Sequence, residues 1–224
     1  MQQTPSHDQA NMDLLHFIPS EAHRIVEIGC STGALARQLK EVDPRRHITG
    51  IDIDPDNIPK AKAHCDEAAC ANIEQQDFSF FEANRLADTW VFGDTLEHLA
   101  DPWRILRLIR KVLPVGGRVV ACIPNAQHWS LQVRLATGLF RYENAGLLDR
   151  THLRWFTRQT MLELFQQTGF EVEAIAPRIF NEPQREVFVG IIGDLAENAG
   201  IDPEVAMNDA LPLQYLIRAI KRTE

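Results

Sequence analysis

The fold this sequence predicts is α/β: a mostly parallel sheet with helices on both faces. Three observations carry that expectation. Short apolar runs alternate with stretches of helical periodicity from residue 24 to residue 123. The first of those runs passes directly into a glycine-rich turn and then a helical stretch, as a parallel crossover requires. The length of 224 residues, with 45% hydrophobic and 24% charged side chains, suits one domain with a sizeable core, so residues 1–224 are read as a single unit.

Residues 24–28 read as a buried strand ending in Gly29-Cys30-Ser31-Thr32-Gly33. Residues 34–42 follow as a helix with Leu35, Leu39 and Val42 on one face. Residues 47–53 form a second strand, the alanine-rich 56–71 a helix, 72–76 a short third strand and 88–92 a fourth. Residues 102–113 are an amphipathic helix, stopped by Pro114 and the Gly116-Gly117 pair before a fifth strand at 118–123. Residues 124–157 read as a long connection carrying Trp129, Phe140, Tyr142 and Trp155; a stretch of that length is usually functional, and it is taken as a lid. A helix at 157–168, with Thr157 or Thr160 as its cap, precedes a sixth strand at 170–176. Residues 184–198 and 203–210 are helices of an insertion, and 213–221 is the last strand.

Composition narrows the function. The net charge of −8 disfavours a nucleic-acid binder that works by neutralising phosphates. Four scattered cysteines suit reduced thiols rather than a disulfide scaffold. His64, Cys65 and Cys70 fit no zinc spacing, and no metal is expected. The polar first residues do not look like a signal peptide, and no apolar run is long enough to span a bilayer. A cytoplasmic protein without membrane contact is the expectation, with a homodimer left open.

The glycine turn carries the chemistry. Glycines there let a ligand approach the backbone, and the following helix offers unpaired N–H groups. A dinucleotide fingerprint wants glycine at position 31, where this chain has Ser31, and no Gly-Lys-Ser/Thr marks a phosphate loop. Glu27 beside the loop suits a positively charged ligand better than a phosphate. Asp52, about 20 residues past the loop, can accept both hydroxyls of a ribose. Ile53 can pack on a purine, Asp77 can accept from an exocyclic amine and Phe78 can flank the ring.

At these residues the chain resembles the class I S-adenosylmethionine-dependent methyltransferases. Glu27, Gly29 and Gly33 match the family's first motif, with Ser31 in place of the middle glycine. Asp52 and Asp77 match its acids after the second and third strands. The stretch Gly93-Asp94-Thr95-Leu96-Glu97-His98-Leu99 with Asp101-Pro102 is similar to its segment after the fourth strand, and Leu113-Pro114-Val115-Gly116-Gly117 to its entry into the fifth. The resemblance covers roughly residues 23–178. It implies a Rossmann-like seven-stranded sheet with the last strand antiparallel and S-adenosylmethionine as cofactor, held by Glu27, Gly29, Ser31, Gly33, Asp52, Ile53, Asp77, Phe78 and Asp94.

Methyl transfer to a hydroxyl benefits from a general base, for which histidine is the usual choice near neutral pH. Asp149-Arg150-Thr151-His152 resembles a segment of the ubiquinone-biosynthesis-like bacterial methyltransferases, in which a histidine lies over the substrate. His152 is therefore the first choice as base or substrate anchor, and His98 the second. His128, Trp129, Tyr142, Arg150, Arg154 and Trp155 are expected to line the acceptor. Arg134, Arg141 and Arg158 add positive charge to the same region, either for an anionic acceptor or for ion pairs with the acidic body. The function implied is methylation of a small hydroxylated molecule, a sugar or an anionic metabolite, with oxygen favoured. The alternative is a noncatalytic module that keeps the fold and binds the cofactor; a nicotinamide oxidoreductase is disfavoured by Ser31.

Overall fold

A computed structural model describes residues 8–223; the first seven residues and Glu224, including part of the polar start weighed against a signal peptide, lie outside it. Helix α1 (Met12–Phe17), capped by the Asn11 side chain at the Leu14 amide, leads to β1 (Arg24–Ile28). The glycine loop, α2 (Ala34–Val42), β2 (His47–Asp52), the short α3 (Ile58–Ala61) and β3 (Glu67–Cys70) follow. A 3-10 turn at Ile73–Gln75, α4 (Phe78–Ala83), β4 (Thr89–Gly93) and a second 3-10 turn at Leu96–His98 precede α5 (Pro102–Val112) and β5 (Arg118–Pro124). The remainder is α6 (Trp129–Ala136), α7 (Arg158–Gln167), β6 (Glu171–Arg178), α8 (Arg185–Asn198), α9 (Pro203–Ala210) and β7 (Gln214–Ile220).

The sheet is the seven-stranded one expected, in the order β3-β2-β1-β4-β5-β7-β6. Strands β1 to β5 are parallel, and β7 runs antiparallel to both β5 and β6. The chain winds outward from β1 in one direction and from β4 in the other. The crevice at the carboxyl ends of β1 and β4 is therefore the topological switch point, where α/β sheets bind ligands.

Side-chain alternation along the strands sends apolar groups to both faces. Ile25, Val91, Val120 and Cys122 are buried in one cluster with Leu14 and Leu15 of α1 and Leu35 and Leu39 of α2. Val26, Ile28, Trp90, Phe92, Val119 and Ala121 are buried in the other, with Phe81 of α4, Ile105, Leu106 and Ile109 of α5, and Met161, Leu164 and Phe165 of α7. Each such fully buried aliphatic or aromatic side chain contributes about 1.5–3 kcal/mol. Helix α7 begins with a capping box in which Thr157 and Thr160 each bond the other's backbone, so both expected caps are used.

Three departures from the sequence expectation have physical causes. Residues 56–71 form only one turn of helix, because Glu67–Cys70 pairs with β2 as the sheet edge; that pairing overrides the high helix propensity of the alanines, which tertiary context routinely outweighs. β3 is solvated, so it carries no apolar alternation by which to be read. The expected third strand at 72–76 is instead a 3-10 turn capped by the Asn72 side chain. The connection at 124–157 contains α6, whose amphipathic signal is diluted by exposed Leu135.

Candidate active site

The glycine loop is a run of left-handed residues: Gly29 at φ +78°, Ser31 at +46° and Gly33 at +83°. A Cβ on Gly29 would stand 2.5 Å from Thr95 Oγ1, so the loop after β1 lies directly against the loop after β4. Ser31 adopts the backbone that a glycine at this position would supply, at a cost of about 1–2 kcal/mol. Its N–H is held by Asp52 Oδ2 at 2.7 Å. The other oxygen of Asp52 accepts from the Asp54 N–H at 2.8 Å and from Asn57 Nδ2 at 3.3 Å. Asp52 is thus fixed at the end of β2 and itself fixes the glycine loop.

Glu27 is buried and its Oε2 has no partner, as is true of Ser31 Oγ. Burial, followed by the neighbouring Cys65 and Asp52, holds the Glu27 carboxyl well above the usual carboxylate range. A carboxyl in that state gains a counter-charge when an ammonium group enters.

On the far side of the crevice, Ile53 and Phe78 are exposed. Asp77 is exposed as well, but it does not end the third strand; its side chain caps α4 by accepting from the Ser79 N–H at 3.0 Å. Those bonds to Ser79 lower its carboxyl below the ordinary value. Two residues past β3 stands Asn72, which sequence reading missed because it placed that strand too late. Asp94 follows β4 in a left-handed conformation, φ +53°, and accepts a hydrogen bond from Gln214 Nε2.

Next to Asp94 the structure brings together the two histidines proposed for catalysis. The His98 and His152 rings meet edge-to-face with centroids 4.8 Å apart. His98 comes from the 3-10 turn after β4, and His152 from the connection between α6 and α7. The Leu153 and Arg154 N–H groups bond the Glu97 carbonyl at 2.8 and 2.9 Å, which ties the two loops together. His98 Nδ1 lies 3.2 Å from the Thr151 carbonyl and 3.0 Å from Thr151 Oγ1, whose hydroxyl donates to Asp149 Oδ1 at 2.7 Å. His152 Nδ1 lies 3.2 Å from the Leu147 carbonyl. A carbonyl only accepts, so Nδ1 carries the proton in both rings and Nε2 keeps its lone pair. Burial lowers both imidazole pKa values, which keeps the rings neutral near neutral pH. Glu97 is 1% exposed and neither of its oxygens has a partner. Burial and the nearby Asp94 push its carboxyl well above the usual range.

The other residues expected to line the acceptor are differently placed. His128 is buried with both nitrogens engaged, Nδ1 with Ser130 Oγ at 2.8 Å and Nε2 with Glu182 Oε2 at 3.1 Å. Trp129 donates to the same Glu182 oxygen at 2.7 Å and stacks on Phe188. Trp129 thus joins α6 to α8, and both side chains hold the segment that leads into α8. Trp155 packs edge-on against His152 at 5.8 Å and against Phe140, which in turn meets the exposed Tyr142. Of the arginines, Arg158 pairs with Asp209 at 2.7 Å and Arg134 with Glu143 at 2.6 Å. Arg150 and Arg154 meet only carbonyls among the described residues.

Residues 6–175 match the family described as "Methyltransferase domain". The chain belongs to this family. It is a class I S-adenosylmethionine-dependent methyltransferase. It is 26% identical over 177 residues to the ubiquinone biosynthesis O-methyltransferase of Cereibacter sphaeroides (strain KD131 / KCTC 12085), covering 75% of this chain and 68% of that one. It is 25% identical over 163 residues to the demethylmenaquinone methyltransferase of Thermotoga maritima, covering 66% and 70% of the two chains. The fold is also that of the magnesium protoporphyrin IX methyltransferase of Synechocystis PCC 6803, solved with bound SAH. That likeness has a TM-score of 0.60 at 10% identity, over 94% of this methyltransferase and 81% of that one. Among the described residues, no helix of the methyltransferase is long and apolar enough to cross a membrane.

Proposed function

We propose that this methyltransferase transfers the methyl group of S-adenosylmethionine to a hydroxyl oxygen of a small molecule. The observation that carries the reading is the His98–His152 pair, which presents two unprotonated Nε2 atoms beside buried Glu97 at the switch-point crevice. Such a cluster suits an acceptor that must lose a proton, as a hydroxyl must. The O-methyltransferase named among the relatives supports oxygen as the acceptor atom.

In this reading the glycine loop and Glu27 hold the methionine end of the cofactor, with the Glu27 carboxylate facing its ammonium group. Asp52 receives the ribose hydroxyls, and Ile53, Asn72 and Phe78 border the adenine, with Asp77 at the rim. The acceptor oxygen attacks the methyl carbon in line; the carbon–sulfur bond breaks and its electron pair stays on sulfur. Positioning supplies most of the rate enhancement in such a displacement. Arg150 and Arg154, without carboxylate partners among the described residues, favour an acceptor that also carries negative charge.

Calorimetry with S-adenosylhomocysteine, followed by methyl-transfer assays on hydroxylated and carboxylated acceptors, tests the reading. His98→Ala and His152→Ala should each lower kcat by about 10²–10⁴-fold while leaving cofactor affinity unchanged. Unchanged turnover in both variants overturns the role of the pair.

A further inference from the structure

Two of the four cysteines meet at the glycine loop. Cys30 belongs to that loop, and Cys65 comes from the segment between α3 and β3. Both are buried free thiols. Gly50 of β2 shows how near they stand: a Cβ on it would lie 2.8 Å from Cys30 Sγ and 2.9 Å from Cys65 Sγ. The two sulfurs thus share the space that any side chain at position 50 would fill. Sequence reading grouped Cys65 with His64 and Cys70, its neighbours in the chain. The fold pairs it with Cys30 instead, and leaves Cys70 exposed beside the Ile53 carbonyl.

The two thiols are not equivalent. The Cys30 thiol donates a hydrogen bond to the Cys65 sulfur. That bond, helped by the Lys40 ammonium, lowers the pKa of Cys65. The same bond, with burial and the nearby Glu27 carboxyl, raises that of Cys30. Cys65 is also the less buried of the two, 8% exposed against 2%. One sulfur inclined to the thiolate, with a second thiol in contact, is the arrangement of a reactive cysteine and its resolving partner.

We propose that Cys30 and Cys65 are a modification site for hydrogen peroxide, which joins them in a disulfide that weakens cofactor binding. The Cys65 thiolate attacks one peroxide oxygen; the O–O bond breaks, and the departing hydroxide takes up the Cys65 proton as water. The Cys30 sulfur then attacks the sulfenic sulfur of Cys65. The S–O bond breaks, and the hydroxide leaves with the Cys30 proton as a second water. Two thiols are oxidised to one disulfide, and one peroxide is reduced to two waters. A disulfide brings its sulfurs closer than a hydrogen bond does, so closure draws Cys30 toward Cys65. Cys30 stands between two left-handed residues, Gly29 and Ser31, and the Ser31 N–H is the tie to Asp52. The loop has no slack there, since a Cβ on Gly33 would lie 3.1 Å from Ala61 Cα. Formation of the disulfide stands on the thiol pair itself; its effect rests on the reading that the glycine loop holds the methionine end of the cofactor.

The test treats the whole reduced chain with hydrogen peroxide, alkylates the remaining thiols in denaturant and maps the disulfides by peptide mass spectrometry. A peptide holding Cys30 joined to one holding Cys65 is expected, with Cys70 and Cys122 alkylated. S-Adenosylhomocysteine calorimetry on the same samples should show affinity falling by about 10²-fold on oxidation, the loss that a misplacement of about 1 Å brings, and returning with dithiothreitol. Cys65→Ser should bind as the reduced parent does and keep that affinity in peroxide. Absence of the Cys30–Cys65 peptide overturns the site without recourse to any variant. An equal loss of affinity in Cys65→Ser assigns the effect to another oxidation and overturns the proposal, as does a mapped disulfide with unchanged affinity. Reduced protein that binds no S-adenosylhomocysteine overturns the cofactor reading, and with it the effect on binding, while the mapped disulfide stands.

Discussion

The two sides of one crevice are built on different principles. On the side proposed for the cofactor the work is done by backbone: three left-handed residues, two of them glycines, form the loop, and Asp52 fastens it through the Ser31 amide. On the side proposed for the acceptor it is done by side chains from separate loops: Glu97, His98 and His152, the two imidazoles positioned by Thr151 and by carbonyls. The first side is local in sequence and was readable as a motif. The second is assembled by the tertiary fold. A backbone cradle fails when a side chain is added where it has no room, as at Gly29, whereas a side-chain cluster fails when its own groups are removed.

Gly29→Ala strikes that contrast hardest. The new Cβ would stand 2.5 Å from Thr95 Oγ1 at a residue whose φ is +78°. The left-handed backbone alone costs about 1–2 kcal/mol, and the contact adds to it. Calorimetry should detect no S-adenosylhomocysteine binding, and the unfolding midpoint should fall. Near-native affinity would show that the cradle tolerates a side chain and would break the comparison.

Glu27→Gln probes the carboxyl that the cradle buries with one oxygen unpartnered. In the fold, burial holds the Glu27 carboxyl well above its ordinary value near 4.5. The native state therefore keeps a proton that the unfolded chain releases. The stability this proton contributes is complete below the unfolded value and is lost as pH rises through the folded one. Glutamine does not titrate, so the unliganded variant should gain stability relative to the parent as pH rises from mildly acidic to mildly alkaline. Its cofactor affinity should fall. Parallel stability profiles for the two proteins would show that Glu27 titrates as it does in the unfolded chain.

The smallest effect is expected from Ser31→Gly. Serine occupies a left-handed position, φ +46°, that glycine adopts without strain. Urea unfolding should show a gain of up to about 1 kcal/mol, reduced by the greater freedom of glycine in the unfolded chain. The amide bond to Asp52 is retained, so cofactor binding should survive. A loss of stability would mean that the buried Ser31 hydroxyl contributes more than its backbone costs.

The legibility of the elements followed their burial. β1 and α2 read at their observed bounds because one is a continuous buried run and the other repeats apolar residues against the core. β3 did not, since it is a solvated edge made of Glu, Ala and Cys, and its displacement moved Asp77 from a strand tip to a helix cap. His128 and Trp129 read as pocket residues from their place after the fifth strand. Only the position of Glu182, beyond β6, shows that both are tied to it.

The sequence by itself determined the parallel strands β1, β2, β4 and β5, the glycine loop, the acid at Asp52 and the family, because these depend on short-range spacing along the chain. The tertiary structure alone decided that His98 and His152 form one site around an unpartnered Glu97. It also decided which arginines are spent on Glu143 and Asp209. The physical reason is separation along the chain. Hydrophobic periodicity fixes which elements form, but a buried charge and the groups that answer it are brought together only by how those elements pack.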